Sequence, residues 1–183
     1  MNQRCHLIEA YPLKLDYPGA FHPNVEREIK KQIGTDFCIH LFSGDSTIGD
    51  VRVDISNPNA TQKENVYDFI QKDYAYPLRN RKLILLADPD YEIQRKGTKL
   101  KIHGIKDSLA GNVLAQKLLI RFIQNMKFDR VILLDQCSPK IPGYSWDFRL
   151  VKTGGWKTVR VLNIYEKMNG SITTNIYKGE DHE

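Results

Sequence analysis

Asp88-Pro89-Asp90-Tyr91 sets two carboxylates and an aromatic ring within four residues. A residue before proline is driven toward extended backbone, so the Asp88 carboxylate is displayed beyond whatever strand precedes it. Such a group can accept hydrogen bonds from a planar amine, and the adjacent ring can stack on the same molecule. Asp, Pro and Asp are equally ordinary residues of a β-turn. A second cluster, Phe42-Ser43-Gly44-Asp45-Ser46-Thr47-Ile48-Gly49, combines glycines with small polar residues. Its backbone can approach a ligand closely and offer amide donors. It lacks the Gly-Lys-Ser/Thr ending of a phosphate-cradling loop, and a plain turn accounts for it equally well. Third is Asp54, at the end of an alternating run. An acidic side chain at a strand end can accept hydrogen bonds from both hydroxyls of a ribose, while a solvated Asp before Asn57-Pro58 is the bland alternative.

The elements that must position these groups follow from punctuation and periodicity. His22-Pro23 and the stretch after them predict a first helix that stops at Gly34. Phe37 to Phe42 (FCIHLF) and Val51 to Ile55 (VRVDI) predict strands, the first buried and the second alternating. Asn65 to Ile70 (NVYDFI) fits either a third strand or the opening of a helix. Lys82 to Ala87 (KLILLA) is the clearest strand and stops at Asp88-Pro89. Arg95 to Lys106 is basic and glycine-punctuated, which predicts a long loop. Asp107 or Ser108 then caps the longest helix, which reaches Met126 with Leu109, Val113, Leu114, Leu118 and Phe122 on one face. Val131 to Leu134 predicts a buried strand, and Trp146 to Lys167 two strands joined at Gly154-Gly155.

Apolar strands separated by helices predict an α/β chain. The sheet is mostly parallel and covered on both faces, with an antiparallel C-terminal hairpin at one edge. Such sheets bind ligands beyond the carboxyl ends of their strands, where the three clusters fall. The 183 residues suit one domain, with a short acidic tail at Gly179 to Glu183 expected to fray. A composition of 41% hydrophobic and 27% charged residues excludes disordered, collagen-like and disulfide-scaffold classes. No apolar run approaches the roughly 20 residues of a bilayer span, and the first residues hold no apolar signal core. Neither membrane spanning nor secretion is expected. Lys and Arg number 27 against 22 Asp and Glu, a formal +5 that weakly favours a polyanionic partner. Three well-separated cysteines, Cys5, Cys38 and Cys137, cannot all pair and point to a reduced, cytoplasmic setting.

In their order, and in their placement after predicted strands, the clusters resemble the class I S-adenosylmethionine-dependent methyltransferases. The closer resemblance is to the nucleic-acid amino-methyltransferases, which modify exocyclic amines of adenine or cytosine. That group carries a Phe-x-Gly cofactor motif, matched by Phe42-Ser43-Gly44. It also carries an Asp/Asn/Ser-Pro-Pro-aromatic catalytic motif, matched in part by Asp88-Pro89-Asp90-Tyr91. The resemblance implies a Rossmann-like methyltransferase fold with S-adenosylmethionine as cofactor and no metal. It places Ser43, Gly44 and the backbone around them, Phe42 and Asp45 included, at the methionine part of the cofactor. Asp54 falls at the ribose and Asp68 near the adenine ring. His22-Pro23 resembles the segment that closes over the methionine end. Asp88 and the Pro89 carbonyl would accept the two N–H bonds of an acceptor amine, with Tyr91 stacked on the base. Two features depart from the pattern. Asp90 stands in place of the second proline, and Asp45 to Asp50 runs into the second strand with no room for the usual helix.

Arg95, Lys96, Lys99, Lys101 and Lys106 follow the catalytic motif; by itself such a run reads first as a solvated loop, and beside the motif as a phosphate-tracking rim. Lys152, Trp156, Lys157 and Arg160 combine charge with an aromatic ring, which suits nucleic acid or a hairpin tip without any ligand. Cys38 and His40 share a strand face. Without a second ligand pair they predict a buried thiol and a satisfied core histidine rather than zinc. The expected function is methyl transfer to a base amine of DNA or RNA. Methylation of a protein or small-molecule amine, and a non-catalytic nucleic-acid-binding module of the same fold, are the alternatives. Without a separate target-recognition domain, specificity falls to short loops, a partner subunit or second copy, or an already single-stranded substrate.

Overall fold

The computed structural model describes residues 6–10, 21–55, 58–76, 78, 80–89, 113–135, 138–153 and 159–168. In chain order these form β1 (His6–Ala10), α1 (Pro23–Ile33), β2 (Phe37–Leu41), β3 (Val51–Val53) and α2 (Val66–Phe69). They continue with β4 (Leu83–Ala87), α3 (Val113–Met126), β5 (Arg130–Asp135), β6 (Tyr144–Thr153) and β7 (Val159–Lys167). The strands build one seven-stranded sheet in the order β1-β6-β7-β5-β4-β2-β3. β7 pairs antiparallel with β5 and β6, and every other pairing is parallel.

Side-chain alternation gives the sheet its two cores. Leu83, Leu85 and Ala87 of β4 face Phe69 of α2 and Leu119, Phe122 and Ile123 of α3. Ile84 and Leu86 face Val25, Ile29 and Ile33 of α1. Burial on both faces is what a central parallel strand requires, and it explains why LILLA is apolar throughout. α1 begins at Pro23, whose fixed φ and missing N–H suit a first helical position. Gly34, at φ +60, ends it.

The structure decides one open alternative and differs from expectation in two elements. NVYDFI opens a helix, because the Asn65 side chain accepts the Tyr67 N–H at 2.8 Å and caps α2. The C-terminal hairpin is not at an edge: β7 is inserted between β5 and β6, and β1 takes the edge by pairing with β6. β1 carries little sequence signal, since only Ala10 of HLIEA is buried and Leu7 is 55% exposed.

β2 and β3 are parallel neighbours joined by residues 42–50 alone. Such crossovers usually take about a dozen residues or more and a helix. Here the segment folds back along β2 instead. The Asp50 N–H donates to Cys38 O at 2.8 Å, and Asp50 Oδ2 accepts the Cys38 N–H at 2.9 Å. His40 Nδ1 donates to Ile48 O at 3.1 Å. Gly49, at φ +102, permits the close pass: a Cβ there would lie 3.1 Å from His40 Cβ and 3.2 Å from Cys38 O. Among the described residues no helix is long and apolar enough to cross a membrane.

Candidate functional site

From β2 the chain moves outward to β3, returns past β2 to β4, and continues outward to β5 on the other side. The winding therefore reverses between β2 and β4. In open α/β sheets the crevice beyond the strands' carboxyl ends at such a reversal is where ligands bind. Phe42-Ser43-Gly44 leaves β2 there and Asp88-Pro89 leaves β4. The Asp88 N–H donates to Leu41 O at 3.4 Å, which ties the two strand ends together.

The chain turns sharply as it leaves β2. Phe42 is left-handed at φ +57, a conformation that costs a non-glycine residue about 1–3 kcal/mol and clusters at functional sites. Its ring meets Tyr67 of α2 edge-on, with centroids 6.1 Å apart. Ser43 is buried and its N–H donates to Val53 O at 3.2 Å. The Gly44 N–H donates to Asp54 Oδ2 at 3.0 Å, so Asp54 fastens the β2 loop to the carboxyl end of β3.

Asp88 has a partner that the sequence did not reveal. Its Oδ1 forms an ion pair with Arg160 Nη2 from the start of β7, and the two side chains are 14% and 19% exposed. Arg160 also donates to Leu134 O at 3.2 Å. Because β7 runs against its neighbours, its first residues lie at their carboxyl ends. A residue read as belonging to a hairpin tip thus reaches the crevice. Asp135, fully buried at the end of β5, is a third carboxylate at this edge and sits opposite Val161 in register. Its signal was available: VILLD closes an apolar run with an acid, as LILLAD does.

The other expected site residues are more dispersed. His22 caps α1, its Nδ1 accepting the Asn24 N–H at 3.2 Å. Asp45 is half-buried in the β2 loop, and Asp68 is exposed on α2 next to Tyr67. Asp90, Tyr91, Arg95, Lys96, Lys99, Lys101, Lys106, Trp156 and Lys157 lie outside the described residues.

Cys38 and His40 share the α1 face of β2, as expected. Burial, then the Asp50 charge, pushes the Cys38 thiol up to about 12. Burial pulls His40 down to about 4, reinforced by Arg52 and opposed by the bond to Ile48 O and by Asp54. The ring stacks on Phe21 with centroids 5.6 Å apart. Contrary to expectation this histidine is only half satisfied, since Nε2 is buried without a partner. Among the described residues no group of His, Cys, Asp and Glu could hold a metal ion. A cavity of about 580 Å³ opens at the opposite end of the sheet, between Lys30, Gly34, Cys38, Asp50 and Arg81. None of Phe42, Ser43, Gly44, Asp54 or Asp88 lines it. No protein-family model, curated protein or solved structure matches this chain.

Proposed function

We propose that the protein is a Rossmann-like, S-adenosylmethionine-dependent methyltransferase whose acceptor is an exocyclic amine of a nucleic-acid base. One observation carries the reading: the reversal of winding between β2 and β4 gathers Phe42-Ser43-Gly44, Asp54 and Asp88-Pro89 at neighbouring strand ends. The donor set suits the cofactor. The left-handed turn at Phe42 and Gly44 bares backbone, and Asp54 supplies a carboxylate at the end of β3. When bound, S-adenosylmethionine supplies an electrophilic methyl group on a sulfonium sulfur. Asp54 binds ribose hydroxyls while it holds the Gly44 N–H, so cofactor contact and loop geometry depend on one side chain.

On the acceptor side, a base amine is a poor nucleophile because its lone pair is delocalised into the ring. Asp88 and the Pro89 carbonyl accept its two N–H bonds and localise that pair. Arg160 orients the Asp88 carboxylate before the acceptor arrives, which lowers the cost of reaching reactive geometry. A base in a duplex must first be flipped out, at a cost of about a few kcal/mol. Calorimetric titration with S-adenosylmethionine and transfer of labelled methyl groups to oligonucleotides test the reading together. Binding by the unmodified protein is expected, and Asp88→Ala should abolish transfer with cofactor affinity nearly intact. Absence of cofactor binding by the unmodified protein overturns it.

The Asp88–Arg160 pair also favours a second reading. In a non-catalytic nucleic-acid-binding module of this fold, that carboxylate serves structure alone. Such a module binds oligonucleotide but neither binds the cofactor nor transfers methyl groups.

A further inference from the structure

The β6 strand carries a row of side chains on one sheet face: Tyr144, Trp146, Phe148, Leu150 and Lys152. Trp146 and Phe148 are stacked, with centroids 5.0 Å apart and planes 18° from parallel. Trp146 remains 45% exposed. The pair is held from the neighbouring strand. Asn163 of β7, fully buried, accepts from Trp146 Nε1 at 2.9 Å and from Ser138 Oγ at 2.6 Å. Asn163 also donates to Leu133 O at 3.3 Å. A fully bonded buried amide that anchors an exposed indole makes a rigid ledge, where little rotamer freedom is lost on binding.

We infer that this ledge is a stacking platform for unpaired bases of single-stranded nucleic acid, running to the carboxyl edge of the sheet over which the Asp88 crevice opens. The identity of what it leads to rests on the methyltransferase reading. Aromatic rings bind single strands without base preference because every base has a π-face. Charge complements the rings at both ends of the row. Lys167 pairs across from Tyr144, and Lys152, in register with Glu9 of β1, ends the row at the carboxyl edge, on the face opposite the Arg160–Asp88 pair. From Tyr144 to Lys152 the strand spans about 26 Å at the usual rise per residue. A strand lying on it would have phosphates near a lysine at each end and bases on the rings between.

The test uses the full chain and a labelled oligothymidylate, followed by fluorescence anisotropy. Trp146→Ala should weaken binding roughly 10-fold, within the range of one lost base stack. Trp146→Phe should keep most of the affinity. Lys152→Glu with Lys167→Glu should flatten the salt dependence. Since Trp146→Ala could unsettle Asn163, a second measurement is independent of it. In a Trp156→Phe background Trp146 is the chain's remaining tryptophan, and bound oligonucleotide should quench its emission. Unchanged affinity in folded Trp146→Ala, or oligonucleotide binding without quenching, overturns the platform. A dimer in sedimentation that Trp146→Ala dissolves overturns it too, by making this face an interface between copies. Quenching by oligonucleotide in a protein that binds no S-adenosylmethionine keeps the platform and removes the methyltransferase. Methyl transfer that is indifferent to Trp146→Ala does the reverse.

Discussion

Arg160 and Asp88, 72 residues apart in sequence, meet as an ion pair across the end of β5. The guanidinium reaches from the first residues of β7, touches Leu134 O on the way, and ends on the carboxylate that leaves β4. Three strands are thereby joined at the end of the sheet where the winding reverses. With both side chains largely buried, each charge is compensated in part by the other.

Removing one partner should therefore be costly. Arg160→Met is expected to lower stability by about 2–4 kcal/mol, because it strands a mostly buried carboxylate. Combined with Asp88→Asn, the loss should fall short of the sum of the singles by about 1–3 kcal/mol. Urea unfolding of the four proteins measures this, and strictly additive losses would show that the pair contributes nothing.

Asp54 carries two duties that substitution can separate. Asp54→Ala leaves the Gly44 N–H without its acceptor and should cost about 1–2 kcal/mol of stability with no cofactor present. It should also weaken cofactor binding by about 1–3 kcal/mol. Asp54→Asn keeps an acceptor oxygen for Gly44, so stability should recover while affinity does not. Denaturation and calorimetry on the same preparations compare the two effects.

His40 should impose acid sensitivity. In the unfolded chain it titrates near 6.5, and in the fold only near 4. Between those values the unfolded chain binds the extra proton, so its contribution is complete above pH 6.5 and is lost as pH falls toward 4. The loss amounts to about 3 kcal/mol. His40→Asn retains a donor for Ile48 O and removes the titration. Its stability should be flatter across this window than that of the parent protein, as read from unfolding midpoints at stepped pH.

The helix-free crossover predicts a contrast between two glycines. Gly49→Ala meets both a left-handed backbone and close contact with His40 Cβ and Cys38 O, so about 1–3 kcal/mol should be lost. Gly143→Ala has a similar φ of +84 but nothing within 4 Å of the new methyl, so the loss should be nearer about 1 kcal/mol. Thermal melts of the two variants give the comparison, and equal losses would mean that the crossover does not press on β2.

How far the sequence could be read depended on how local each signal was. FCIHLF, VRVDI and KLILLA announced strands β2, β3 and β4 because burial on two faces, or on alternate ones, is written into consecutive residues. His22-Pro23 and Gly34 bounded α1 by backbone chemistry alone. β1 and the placement of β7 were not legible, since one is decided by a partner more than 100 residues away and the other by insertion between two strands that precede it. The Asp88 partner was hidden for the same reason: Arg160 carries no mark of an antiparallel strand that brings its start to the others' ends. His40 read as a satisfied core residue because spacing shows which face a ring occupies, not whether each nitrogen finds a partner.

The insertion of β7 sets an order on assembly. Among the described residues β7 is made after every other strand, yet it is the one through which β1 and β6 join β5 within the sheet. A nascent chain that stops short of Val159 can assemble β2 to β5, while its first strand and β6 wait with unpaired edges. Such long-range closure slows folding and exposes strand edges to other chains in the interval. β1 thus waits for β7, the described strand farthest from it in sequence, before it joins the rest of the sheet.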